Sequence, residues 1–145
     1  MRNKTLLFYK LGSYGLILFA LLHSLSFFSD PANLLTNDED KRVWQLIQTH
    51  VFNLGGMSTT TESLLTGFNF YLSAFTLFTG LLNLLLIKVF INNAAFLKPA
   101  AVLNLVMLGA LWVITFIFFH LPPLILFGLS WVFFLLAFVW HRKSV

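Results

Sequence analysis

Cysteine is absent from this chain of 145 residues, and aspartate and glutamate together number only five. Without a thiol, the sequence excludes disulfides, thiolate catalysis and metal sites ligated by cysteine. Only 10% of the residues are charged, whereas 59% are hydrophobic and the mean hydropathy is +0.87. A soluble domain of this composition would expose enough apolar surface to aggregate. The composition therefore indicates a membrane protein.

Four long apolar stretches contain no aspartate or glutamate and cover more than half of the chain, at 6–28, 68–91, 99–119 and 124–139. About 20 apolar residues in a helix cross the hydrocarbon core while keeping every backbone polar group bonded. The sequence therefore predicts an all-α polytopic membrane protein, a four-transmembrane-helix bundle that is one integral membrane domain over 1–145. We expect spans near 6–28, 62–91, 99–120 and 124–140 and an outer loop near 29–61. The first stretch is too long for a signal peptide, so we expect it to remain as a helix.

Basic residues predict the orientation of these spans. They cluster before or within the start of the first span, around the turn between the second and third, and after the fourth, as Arg2, Lys4, Lys10, Lys88, Lys98, Arg142 and Lys143. If each span crosses the membrane once, these clusters lie on the same side of it. The positive-inside rule then places both termini in the cytoplasm. The net charge of +4 therefore has a topological explanation, and no nucleic-acid partner is expected. Tyr9 and Tyr14 suit interfacial positions.

The outer loop has the pattern of a short amphipathic helix. Thr36 and Glu39 have the spacing of a capping box for a helix that runs to about Val51. Gly55-Gly56 is expected to break this helix. The loop should therefore carry a helix on the outer membrane surface or at the mouth of the bundle.

Three further boundaries follow from capping and proline patterns. Thr59 and Glu62 form a second capping box, which makes the second span the longest. Pro99 is expected to begin the third span, and Pro122-Pro123 to form the outer turn before the fourth. Because that turn is short, spans three and four should be antiparallel neighbours.

Polar residues inside the second span recur at the period of a helix seam, at Asn69, Ser73, Thr76, Gly80 and Asn83. Polar groups are costly in lipid, so this stripe should face protein and pack helices together. Lining of a cavity is the alternative interpretation. Asn104 in the third span lies at a depth where it could meet Asn83.

Three of the four histidines are predicted at the outer mouth, namely His23, His50 and His120. Glu62 and Asn69 at the start of span two could join them in one candidate outer pocket. Imidazole is a common ligand of metals and haem and transfers protons near neutral pH, so these three histidines are candidate ligands of a divalent metal or haem. In the alternative interpretation, each imidazole bonds separately to backbone, a lipid headgroup or a neighbouring helix.

The segments Leu22-His23-Ser24, 50–56, 67–72 and 75–78 resemble a small uncharacterised family of four-helix bacterial integral membrane proteins. This resemblance covers about the first two-thirds of the chain. It implies a multi-pass protein of the bacterial inner (cytoplasmic) membrane, and it adds Tyr71 to the candidate outer pocket. The number of helices is also similar to that of DoxX-like proteins, which is a similarity of architecture alone.

Two classes of function are compatible with these features. The first is a non-enzymatic membrane protein, either an accessory subunit or a binder of a small molecule or lipid, which needs no cofactor and has the bilayer, a membrane protein or a second copy as its partner. The second is a membrane-embedded redox or acid/base enzyme that uses the outer histidines to hold haem or a metal, or to act on a lipid-soluble substrate. The P-loop, the dinucleotide fingerprint, His-Glu-x-x-His and Gly-x-Ser-x-Gly are all absent from the sequence. We therefore favour the non-enzymatic class.

Overall fold

The computed structural model describes residues 2–29, 31–90, 94–118 and 121–142. Two short 3₁₀ turns, Ser26–Phe28 and Pro31–Leu34, follow the first helix. The other elements, in chain order, are α1 (Arg2–Leu25), α2 (Asp38–Thr49), β1 (Val51–Leu54), β2 (Met57–Thr60), α3 (Thr61–Val89), α4 (Ala94–Phe118) and α5 (Leu121–Arg142). The predicted helical class is confirmed, with one small β-hairpin added.

Four of the helices are long and apolar enough to cross a membrane. The candidate spans are Lys4–Phe28, Thr61–Val89, Phe96–Phe118 and Leu121–Trp140, which correspond to the four predicted spans. The hairpin lies beside the start of α3. We call this end of the molecule the hairpin end, and the end that holds the start of α1 and the end of α5 the terminal end.

The helix α1 is central to the packing. It packs against both α3 and α5, and α5 packs against α4, whereas α3 and α4 are not packed closely along their length. The ring of Tyr9 meets Phe134 of α5 edge-on, with ring centroids 5.1 Å apart. The ring of Phe19 is tilted by 35° against that of Phe127 in α5, with centroids 4.3 Å apart. All four aromatic side chains are buried. Three pairs of long helices are thus packed closely, α3 with α1, α1 with α5, and α5 with α4, whereas an open seam lies between α3 and α4.

The polar stripe of α3 faces protein, as predicted. Ser73, Thr76, Gly80 and Asn83 are buried, and Asn69 is half-buried. A Cβ atom added to Gly80 would lie 2.7 Å from Cγ1 of Ile17 and 2.9 Å from the backbone oxygen of Ser13. Since those distances are too short for real contacts, the absence of a side chain at this position allows α1 and α3 to approach each other closely.

The pair Gly55-Gly56 forms the turn of a β-hairpin, which the sequence interpretation missed. The two glycines have φ values of 55° and 87°, and Leu54 pairs with Met57 across the turn. Two consecutive residues with positive φ are required by a type I′ turn, whose twist matches that of two antiparallel strands. The glycines therefore reverse the chain between α2 and α3.

Both predicted capping boxes are wrong by one residue. Asn37, not Thr36, caps α2, and its side chain accepts a hydrogen bond from the backbone N–H of Asp40. Thr60, not Thr59, caps α3. The capping residue is the last one with extended backbone before the helix, and strings of adjacent Thr and Asn residues offer several such positions.

The prolines of the later helices lie inside them. The helix α4 begins at Ala94, so the expectation that Pro99 begins this helix is wrong, and Pro99 instead removes one backbone hydrogen bond from its second turn. The helix α5 begins at Leu121, so Pro122 and Pro123 belong to its first turn, where the missing N–H groups have no helical partner to lose. The packing of α4 against α5 agrees with the predicted antiparallel pair.

Candidate functional site

Three buried polar side chains from three helices form one hydrogen-bonded network. The hydroxyl of Tyr9 donates to Oδ1 of Asn83 at 2.8 Å. Nδ2 of Asn83 donates to Oδ1 of Asn104 at 2.8 Å, and Nδ2 of Asn104 donates back to Oδ1 of Asn83 at 3.1 Å. Asn104 also donates to the backbone oxygen of Ala100 at 2.8 Å. The predicted meeting of Asn83 and Asn104 is confirmed.

The participation of Tyr9 was not predicted. Tyr9, which was expected at a membrane interface, has a side chain that is fully buried between helices, whereas Tyr14 is 55% exposed. Tyr9 belongs to a buried face of α1 with Ser13, Leu16 and Ala20, which recur every three or four residues. That spacing was the signal in the sequence that could have identified the buried tyrosine.

One amide hydrogen of this network has no acceptor among the described residues. A side-chain amide carries two N–H hydrogens, and Nδ2 of Asn83 has one acceptor among the described residues, Oδ1 of Asn104. Asn83 and Asn104 are each only 4% exposed, and both line the groove between α3 and α4. The side-chain amides of Asn83 and Asn104 therefore form a polar patch in a mostly apolar groove, which we call its polar point.

Two apolar grooves follow the seam between α3 and α4. The first, which we call the terminal groove, has a volume of about 420 Å³ and is lined by Phe75, Phe78, Thr79, Leu82, Asn83, Leu86, Phe96, Pro99, Ala100, Leu103, Asn104 and Met107. The second, the upper groove, has a volume of about 360 Å³, lies nearer the hairpin end, and is lined by Leu65, Phe68, Asn69, Tyr71, Leu72, Leu111, Ile114, Thr115, Pro123 and Phe127. Both are open at the side, where Leu103 is 70% and Tyr71 69% exposed.

A third cavity, which we call the hairpin pocket, lies where α1, α2 and α3 meet at the hairpin end. It has a volume of about 270 Å³ and is lined by Ser26, Phe27, Ser29, Trp44, Glu62, Leu65, Thr66, Asn69 and Phe70. The structure therefore brings together two of the predicted outer-pocket residues, Glu62 and Asn69. It adds Trp44 of α2, which sequence reasoning missed because a tryptophan on a loop helix has no distinguishing pattern.

The remaining predicted site residues lie elsewhere. The ring of His23 stacks on Phe19, with centroids 5.4 Å apart, and neither His23 nor His50 lines the hairpin pocket. His50 is exposed at the end of α2. Tyr71 lines the upper groove, and His120 lies outside the described residues.

Metal ligation by these histidines is not supported by the described geometry. In the ranges that the structure describes, no three His, Asp or Glu side chains come close enough together to hold a metal ion. The metal and haem interpretation depends on His120 and stays a prediction.

Comparisons of the chain with models of protein families, with curated proteins and with solved structures find no match. The resemblance carried by segments 22–24 and 50–78 therefore stays a prediction. Function has to be argued from the geometry of the grooves and of the hairpin pocket.

Proposed function

We propose that this protein is a non-enzymatic integral membrane protein that binds an apolar, membrane-dissolved small molecule or lipid chain in the seam between α3 and α4. The observation that carries the proposal is the open seam itself. The pairs α3–α1, α1–α5 and α5–α4 are packed closely, whereas two consecutive apolar grooves lie between α3 and α4, which are bonded to each other by Asn83 and Asn104. Concave, mostly apolar cavities with few polar groups are typical of small-molecule sites.

The exposed surface of the helices supports placement in a bilayer. Large apolar side chains on α4 point outward, with Phe118 75%, Phe116 71% and Val106 68% exposed. A soluble monomer rarely exposes contiguous apolar surface of this extent, whereas in lipid such a surface carries no penalty. Together with the distribution of basic residues, this supports a multi-pass protein of the bacterial inner membrane with both termini in the cytoplasm.

The dimensions of the seam favour a narrow ligand over a helix of another protein. A transmembrane helix is about 10–12 Å wide with its side chains and associates through small residues that let backbones approach. The seam instead presents bulky walls, including Phe78 and Leu103, and the small residue Gly80 is already packed against α1. A groove of about 420 Å³ has the size of a small-molecule site.

The polar point in the terminal groove favours a ligand that carries a hydrogen-bond acceptor. Nδ2 of Asn83 retains a hydrogen that a carbonyl oxygen could accept, while the remaining lining is mostly apolar. Among the described residues, no acid or base lines the terminal groove, and Tyr71 is the one titratable residue that lines the upper groove. This lining supports binding of a carbonyl-bearing apolar molecule rather than acid/base chemistry.

The experiment compares two tryptophan substitutions on α4. Leu103 lines the terminal groove, whereas Val106 does not, and both are about equally exposed, at 70% and 68%. We expect Leu103→Trp to fill the groove and to abolish the increase in Tm that decylbenzoquinone produces in detergent, while Val106→Trp keeps it. Decylbenzene, which lacks the carbonyls, should give a smaller increase with the wild-type protein. Equal responses of the two variants, or no response of the wild-type protein, would refute the proposal.

A further inference from the structure

The hairpin pocket combines aromatic rings with one acidic group. The rings of Phe27 and Phe70 lie against each other with centroids 4.1 Å apart, and Trp44 of α2 lines the same pocket. Among the residues that the structure describes, Glu62 is the one charged side chain in the lining. Aromatic faces attract cations through their quadrupole, and rings grouped around a cavity are the usual means by which proteins recognise substituted ammonium ions.

The carboxylate of Glu62 has no cation bound to it among the residues that the structure describes. The ion pair that the described residues form joins Lys41 to Asp38 on the exposed face of α2 and does not involve Glu62. Glu62 is half-buried, and it lies in the first turn of α3, where the helix dipole favours a negative charge. A partly desolvated carboxylate without a counter-ion is stabilised when a cation enters the pocket.

The indole of Trp44 supplies a second unused group. Its Nε1 is buried and has no acceptor within the described part of the chain. A buried indole N–H normally finds a partner, so this donor is suited to an oxygen atom of a bound molecule. The Trp44 N–H donor and the Glu62 carboxylate together match a ligand that has an ammonium group at one end and a hydroxyl or phosphate oxygen nearby.

We propose that the hairpin pocket binds an organic ammonium group, with Glu62 as counter-ion, the rings of Phe27, Trp44 and Phe70 as the cage, and the Trp44 N–H bonded to an oxygen of the same ligand. The volume of about 270 Å³ suits a small head rather than a large ligand. The pocket lies where the candidate spans Lys4–Phe28 and Thr61–Val89 reach their ends, which is the level of lipid headgroups. Anions are disfavoured by Glu62, and neutral apolar molecules leave its charge uncompensated.

The test uses choline and its uncharged isostere, 3,3-dimethylbutan-1-ol, titrated by calorimetry into the detergent-purified protein. Choline and phosphatidylethanolamine carry the same chemistry, so the protein is also placed in nanodiscs of phosphatidylglycerol with and without phosphatidylethanolamine, and its Tm is compared. Binding of choline but not of the isostere identifies a water-soluble ammonium ligand. A rise in Tm with phosphatidylethanolamine alone identifies a lipid headgroup. Either result supports the proposal.

Matched variants connect the signal to the pocket. Glu62→Gln keeps the shape of the side chain and removes its charge, and we expect it to weaken ammonium binding at least about tenfold. Glu39→Gln removes an acid from the exposed side of α2 and should leave binding unchanged. Because Glu39 is exposed, this control separates the pocket from the general charge of the loop. Absence of binding in both the choline and lipid arms, equal binding of choline and its isostere, or equal losses in the two variants would overturn the proposal.

The two proposals fail separately. Filling the terminal groove with Leu103→Trp acts on the seam between α3 and α4, whereas the ammonium ligand contacts the turn that follows α1, the helix α2 and the start of α3. Ammonium binding that persists in Leu103→Trp, together with loss of the decylbenzoquinone response, is therefore the expected combination.

Discussion

At the residue scale, the proposed recognition of a ligand in the seam depends on the Asn83–Asn104 amide pair. Each amide uses one N–H to bond the other, and Asn104 uses its second N–H on Ala100, so Asn83 holds the remaining donor. The hydroxyl of Tyr9 fixes the orientation of Asn83 by donating to its oxygen. Nδ2 of Asn83 donates to Asn104, and both side chains line the terminal groove.

Tyr9→Phe removes the hydroxyl of this network while it keeps the ring that packs on Phe134. We expect the free energy of unfolding to fall by about 0.6 kcal/mol and by no more than about 1.7 kcal/mol, the average and the largest value for hydrogen bonds between membrane helices. Tyr14→Phe on the same helix removes an exposed hydroxyl and should change stability little. Thermal or chemical unfolding in detergent measures both variants. Equal stability of the two would show that the network contributes nothing.

At the element scale, α3 is held by the contact between Gly80 and α1. A methyl group at Gly80 would overlap Ile17 and the backbone of Ser13, whereas a methyl group at Gly67 would meet no atom within 4 Å. The same substitution therefore has opposite expected effects at two positions of one helix.

Gly80→Ala should lower the Tm, because forcing α1 and α3 apart typically costs about 1–3 kcal/mol. Gly67→Ala should leave it unchanged or raise it, since alanine favours helix by about 1 kcal/mol over glycine. Circular dichroism at increasing temperature, in one detergent, gives the two values. A Gly80→Ala protein as stable as Gly67→Ala would contradict the packing of α1 on α3.

At the scale of the whole molecule, the hairpin and α2 bring side chains of the loop over the ends of α1 and α3. The hairpin returns the chain from α2 to α3 through Gly55-Gly56, and Trp44 of α2 thereby lines a pocket with Glu62 of α3. The predicted orientation places this pocket outside the cell and the opposite end of the helices in the cytoplasm.

The absence of native cysteine makes this orientation directly measurable. Cysteine introduced at Gln48, an exposed residue of α2, should react with an impermeant maleimide added to intact cells. Cysteine introduced at Ser144, near the C-terminus in the sequence, should react only after the cells are opened. The reverse pattern of labelling would overturn the orientation.

The part of the grooves and of the hairpin pocket that α3 contributes could be predicted from the sequence, because it depends only on the spacing of residues along that one helix. The spacing of Asn69, Ser73, Thr76, Gly80 and Asn83 identified the buried face of α3 correctly, with Asn69 at its half-buried edge. The pocket shared by Glu62 and Asn69 follows from their separation of two helical turns. The neighbours that complete both sites come from other helices, and no spacing within α3 specifies them.

The sequence by itself determined the four long apolar helices and the polar face of α3, because hydrophobic length and helical period are local properties of the chain. Only the tertiary structure decided that Tyr9 joins the Asn83–Asn104 pair, that Trp44 covers Glu62, and that α3 stands apart from α4. These features depend on which faces of separate helices meet. Side-chain volume and close approach at positions such as Gly80 set those contacts, and they act between segments that are distant in sequence.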